Sequence, residues 1–150
     1  MSQDGIHLET SLGYLLKEAA SALRAAMEAV LRPLDMTMTH YSCLELLAQR
    51  PGLSNSELAR GAFVTRQSMN VLLQALERDG FVTRATEAPV GKALPTQLTA
   101  AGRKQLEQAS AAVRGVEVRM LDGLSDEQQV AARTLLRSMV RSLRTDGGAA

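Results

Sequence analysis

The sequence predicts a mostly α-helical fold, and three observations carry that prediction. The chain is 45% hydrophobic yet only 3% aromatic and has no Trp, so its core must be aliphatic and Met-rich, a composition that favours helices. Apolar residues recur at helical spacing along most of the chain. Only two short stretches, at 81–87 and 92–99, read as strands. A length of 150 residues suits one domain.

The first helix is expected over 9–31. Leu12, Leu15, Leu16, Ala19, Leu23, Ala26, Met27 and Val30 line one face, Thr10 or Ser11 caps the start, and Pro33 ends the run. Thr37 or Thr39 opens a second helix that stops at Pro51-Gly52 and turns Leu44, Leu47 and Ala48 inward. In "LSNSELARGAF", Ser54 and Glu57 have capping-box spacing, and Gly61 closes a short helix. Thr65 caps the next helix, which runs to about Asp79 with Gly80 as its C′ residue.

"FVTRATE" and "KALPTQLT" then read as strands around an "APVG" turn, with Pro95 demoting the second to an edge strand or a bulge. Helices over about 100–121 and from a Ser125/Gln128 capping box to about Leu143 complete the chain. Leu106, Ala109, Val113, Val116 and Met120 should face inward on the first. Leu135, Leu136, Met139, Val140 and Leu143 should do so on the second. "TDGGAA" is expected to fray.

Two capped helices joined by a tight turn and followed by a hairpin define a winged helix-turn-helix. The helix over 65–79 has an unusual polar face. Met69, Leu72, Leu73 and Leu76 share the apolar side. The opposite side carries Arg66, Gln67, Asn70, Val71 and Gln74, where most solvated helices carry Glu and Lys. Arg matches guanine O6 and N7, Asn and Gln match adenine N6 and N7, and an apolar side chain meets the thymine methyl. Thr65 and Ser68 supply hydroxyls at the helix start, where base reading concentrates. Ser54 and Asn55 are placed to touch phosphates. Arg84 stands at the base of the wing and Lys92 near its tip, where a cation suits a narrow minor groove.

Overall charge does not announce this partner. The formal net charge is +1. Over 37–103, seven basic residues face five acidic ones, so nonspecific affinity should be modest and salt-sensitive. The single cysteine, Cys43, excludes a disulfide framework within one chain and fits a reducing cytoplasm. No signal-peptide pattern and no apolar run of ~18 residues is seen. Neither a Gly-rich phosphate loop nor a nucleophile–base pair appears, so no enzyme is expected. Two His without a patterned acid cluster do not make a metal site. The expected division is 1–34 and 100–146 as dimerisation helices around a 37–99 DNA module, since the flanking apolar faces need burial and a twofold dimer would bury them.

The order of parts resembles the MarR (multiple antibiotic resistance regulator) family. "LRPLDMTMTHYSCLELLAQRPGLSNSELARGAFVTRQSMNVLLQALERDGFVTR" and "LTAAGRKQL" carry the resemblance, which covers nearly the whole chain. It implies a homodimer on a palindromic operator, frequent repression, and release by small aromatic or anionic ligands. Two departures stand out. Family wings usually carry Asp-x-Arg, and here Val90 and Lys92 take those places, so the wing contact is monodentate. Val71 stands where the reading helix often has a basic residue. His7, Tyr14, His40 and Tyr41 are the candidates for lining a ligand pocket. Cys43 offers an alternative as a redox sensor, although no Lys or Arg adjoins it to lower its pKa. A winged-helix interaction module without DNA binding is the other alternative.

Overall fold

The computed structural model describes residues 5–84 and 95–148, the last four through their backbone alone. Helix α1 spans Leu12–Leu31, with the Ser11 hydroxyl accepting from the Tyr14 N–H. A 3-10 turn over Arg32–Leu34 takes Pro33 at its start and closes on Asp35 in the left-handed region. Helix α2 spans Met38–Gln49 and is capped by Thr37. The short α3, Asn55–Gly61, begins with the full reciprocal box of Ser54 and Glu57. Helix α4 covers Arg66–Arg78 with Thr65 as its cap. Gly80 follows at φ 82, the left-handed position that lets the chain leave the helix.

Strands β1 (Val82–Arg84) and β2 (Thr96–Leu98) pair antiparallel with Val82 opposite Leu98. Strand β2 begins just after Pro95, which lacks the N–H a ladder needs. The wing expected between them, with Val90 and Lys92, lies outside the described residues. Helix α5 spans Ala100–Leu121. Helix α6 spans Asp126–Gly148 behind a reciprocal Ser125/Gln128 box. It outruns the expected stop near Leu143. Once a helix is formed, adding a glycine costs only about 1 kcal/mol relative to alanine, so "TDGG" is no barrier.

The described residues up to Val116 form one compact unit and those from Glu117 onward a second. The core of the first joins Leu31, Leu44, Leu58, Met69, Leu73, Leu76 and Val82, all essentially inaccessible to water. Leu106, Ala109, Val113 and Val116 of α5 join this core as expected. Gly102 sets how closely α5 approaches β1, because a Cβ there would stand 2.1 Å from the Phe81 carbonyl oxygen. Thr99 pins the same corner. Its hydroxyl donates to Gly80 O at 2.6 Å and accepts from Gly102 N, and its N–H donates to Phe81 O.

The apolar stripes expected inside on the outer helices are open in the single chain. Leu12, Leu15 and Leu16 of α1, Met120 of α5, and Leu135, Leu136, Val140 and Leu143 of α6 are exposed, Leu143 at 79%. Periodicity identifies a face that wants burial but does not say whether its own chain supplies the cover.

Candidate nucleic-acid interface

Helix α4 buries Met69, Leu73 and Leu76 and turns its other side outward. Thr65, Arg66, Gln67, Ser68, Val71 and Gln74 are exposed, and Asn70 is half-buried. Val71, at 61% exposure, is an apolar point on this polar face. Thr65 Oγ1 accepts from Ser68 N and donates to Ser68 Oγ, both at 3.0 Å. Arg66 Nη1 reaches Ser56 Oγ at 3.4 Å, which draws its guanidinium toward the first turn of α3. No acidic residue lies in the first turn of α4. The positive end of the helix dipole and the Arg66 charge therefore act together on an approaching anion.

The start of α3 is built into the same surface. Ser54 and Asn55 are half-buried. The Ser54 side chain is occupied by its capping bond, and its N–H by the Glu57 carboxylate. Hydrogen bonds from the Ser54 backbone and side chain hold the Glu57 carboxyl below its ordinary value. Asn55 Nδ2 donates to Asn70 Oδ1 at 3.3 Å, while Asn55 Oδ1 is buried without a partner. The structure thus brings Asn55 onto the reading helix, where a phosphate contact was expected. Arg84 is half-buried on β1, and its Nε and Nη2 are shielded from water with no hydrogen-bond partner among the described residues.

The turn between α3 and α4 holds a feature that sequence reading missed. Phe63 adopts φ 59 and is 82% exposed. Its N–H donates to Arg60 O, and that of Val64 to Ala59 O. This is the paired bonding of a Schellman helix end with phenylalanine where glycine is usual. No local sequence signal marks a phenylalanine for this conformation.

The four candidates for a ligand pocket do not behave alike. His7 and Tyr14 are exposed. His40 is half-buried, with Nε2 3.1 Å from Gln105 Oε1 and its ring 6.2 Å from that of Phe81. Burial lowers the His40 pKa, against the opposing pulls of the Gln105 bond and the Asp79 charge. Tyr41 turns the other way and donates from its hydroxyl to Glu45 Oε2. The same carboxylate accepts from Ser110 of α5, and its other oxygen from Gln49. Burial alone would raise the Glu45 carboxyl, but the Tyr41, Gln49 and Ser110 bonds and the Arg114 charge bring it below the ordinary value. Tyr41 and Glu45 border a cavity of about 210 Å³, together with Ser42, Leu46, Gln49, Arg50 and Gly61. The Tyr41–Glu45–Gln49 ladder has i, i+4 spacing and was open to sequence reading.

Cys43 has no exposed surface, and burial pushes its thiol up to about 12, with the Arg84 charge pulling weakly the other way. A thiol held protonated and away from solvent does not fit the redox-sensor alternative. Among the described residues, no cluster of His, Cys, Asp and Glu could hold a metal ion, and no helix is long and apolar enough to cross a membrane.

A capped helix pair, a two-stranded wing base and an outward amide-rich helix define a winged helix-turn-helix of the DNA-reading class. The MarR family profile matches residues 34–93. The HTH-type transcriptional repressor Rv2887 of Mycobacterium tuberculosis is 41% identical over 135 residues, which span 90% of this chain and 97% of that protein. The chain belongs to the MarR family. The solved structure of Rv2887 with DNA covers 87% of this chain and 98% of its own at 40% identity, with a TM-score of 0.71. The complex of Rv2887 with salicylic acid covers 87% and 96% at 42% identity, also with a TM-score of 0.71. A MarR-family regulator from Silicibacter pomeroyi shares the fold at a TM-score of 0.83 over 95% of this chain and 96% of its own, with 23% identity.

Proposed function

We propose that this chain is a ligand-responsive transcriptional repressor that binds a palindromic operator as a homodimer. The observation that carries this reading is the outer face of α4: Arg66, Gln67, Ser68, Val71 and Gln74 stand exposed at the start of a helix with no acid in its first turn. That face suits the edges of bases in a major groove. Arg66 is the assigned guanine contact and Gln67 and Gln74 the flexible amides. Val71 takes a thymine methyl, and Thr65 and Ser68 take the phosphate beside the helix start. Lys92 reaches the minor groove from the wing. The family relationship and the DNA complex of Rv2887 support the assignment.

The exposed stripes of α1 and α6 support the division into dimerisation helices at 1–34 and 100–146 and a DNA module at 37–99. The regulator works in the cytoplasm, not as an enzyme. Its effector is a small aromatic acid, by analogy with the salicylic and p-aminosalicylic acid complexes of Rv2887. The cavity beside Tyr41 offers the Arg50 cation for the carboxylate of such a molecule and the Tyr41 ring, whose hydroxyl donates to Glu45, as a wall for its aromatic face. His7, Tyr14 and His40 are secondary candidates.

Selection of bound duplexes from a random pool tests the reading. The expected product is a palindrome with half-sites about one helical turn apart, released when salicylate is added. No enrichment would favour the interaction-module alternative.

A further inference from the structure

Asn70 occupies the middle of the proposed reading face, four residues after Arg66 and four before Gln74. Resting on the operator-binding role above, we infer that Asn70 reads its base as a hydrogen-bond donor only, and that Asn55 imposes this. The base facing Asn70 in each half-site is then preferentially guanine or thymine, which present keto oxygens, over adenine, whose one acceptor, N7, stands beside the N6 amino group.

A side-chain amide bridges adenine by presenting its oxygen to N6 and its N–H to N7, both along one flat edge. The oxygen of Asn70 is already held by Asn55 Nδ2 at 3.3 Å, on the side where α3 packs. That edge is therefore turned from the base, and the NH₂ group is the part left to project. An NH₂ meets acceptors, and guanine offers two, O6 and N7, and thymine O4, whereas adenine sets its single acceptor N7 beside an amino group that meets the NH₂ donor to donor.

The orientation of the pair follows from Asn55. As it stands, Asn55 buries an unpaired carbonyl oxygen. Reversing both amides would keep the bond between them but bury an unpaired NH₂ in the same place. Orphaned donors are rarer in proteins than under-satisfied carbonyls, whose oxygen has two lone pairs. Asn55 is thus a positioning residue: it acts on DNA through the direction it gives Asn70.

Asn55→Asp tests this because a carboxylate only accepts. It would draw Asn70 Nδ2 inward and swing Oδ1 out. Asp is also favourable in the first turn of a helix, and the overall loss of affinity from its charge does not enter a comparison of bases. Duplex pools would be selected with the full-length wild type and with Asn70→Ala, Asn55→Asp and Asn55→Ala.

The wild type should enrich guanine or thymine at one symmetric position, and Asn70→Ala should flatten the preference there alone. Asn55→Asp should move that position to adenine or cytosine, the bases with amino groups, by about tenfold. Asn55→Ala should free the amide and admit adenine beside the original base. An unchanged preference in Asn55→Asp, a wild-type preference for adenine or cytosine, or a change at a different position would each overturn the inference alone. No enriched site for the wild type would overturn the operator-binding role, and this inference with it.

Discussion

At the scale of the residue, two positions carry most of the consequence. Arg66 stands at the first position of α4, exposed, with one nitrogen resting on Ser56. Arg66→Ala should lower operator affinity by ~1–3 kcal/mol and relax preference at one base pair. A quantitative gel shift on the selected operator checks it, with light scattering showing an unchanged oligomer. Phe63 carries a different load. Left-handed backbone costs an L-residue roughly 1–2 kcal/mol, and glycine gives back about 0.5–1 kcal/mol through its freer unfolded chain. With the ring 82% exposed, little burial is lost on removing it. Phe63→Gly should therefore stabilise the fold by about 0.5–1 kcal/mol in urea denaturation at fixed protein concentration.

At the scale of the element, the junction of α2 with α5 is polar and half-buried. His40 meets Gln105 across it, and Glu45 meets Ser110 one turn further on. His40 is held below its ordinary pKa of 6.5 by burial, so the unfolded chain takes up a proton there before the folded one does. Stability from the neutral imidazole is complete above about pH 6.5 and falls as pH drops through that value toward the lower folded pKa. Thermal midpoints should decline between pH 7.5 and 5.5, and His40→Gln should remove part of that decline while leaving the region above pH 7 flat. An identical pH profile in the variant would show that the imidazole is not the sensitive group.

Elements were also where sequence reading succeeded. Ser54, Thr65 and Ser125 cap the helices they were assigned to, and Ser11 and Thr37 do so from the pairs Thr10/Ser11 and Thr37/Thr39, because a cap is a bond between residues three apart. The Asn55–Asn70 bond was invisible because its partners lie fifteen residues apart. The inward turn of Arg84 depends on how β1 lies on the core, which no local pattern states. The Schellman end at Phe63 was hidden because the signal for it is glycine, and glycine stands two residues earlier.

At the scale of the whole molecule, the open stripes dominate. Leu135, Leu136, Val140 and Leu143 lie exposed along one helix, and Leu12, Leu15 and Leu16 along another. Exposed contiguous apolar surface of this kind marks an interaction site. Light scattering at micromolar protein should give the mass of a dimer, and Leu136→Lys should lower it and weaken operator binding together, since two half-sites are then read independently. A monomeric wild type would remove the two-half-site arrangement.

The corner at Thr99 has a mechanical meaning. One hydroxyl fastens the exit of the reading helix, at Gly80, to the first turn of α5, so those two ends travel together. Helix α5 has 22 residues, a rod of about 33 Å. If the proposed dimer clamps its far end, a tilt of only about 5° would carry the Thr99 end through about 3 Å, close to the ~3.4 Å step between successive bases on one strand. A shift too slight to disturb the core would then move each reader by one rung of the ladder, and two readers moved in opposite senses no longer fit the spacing of their half-sites.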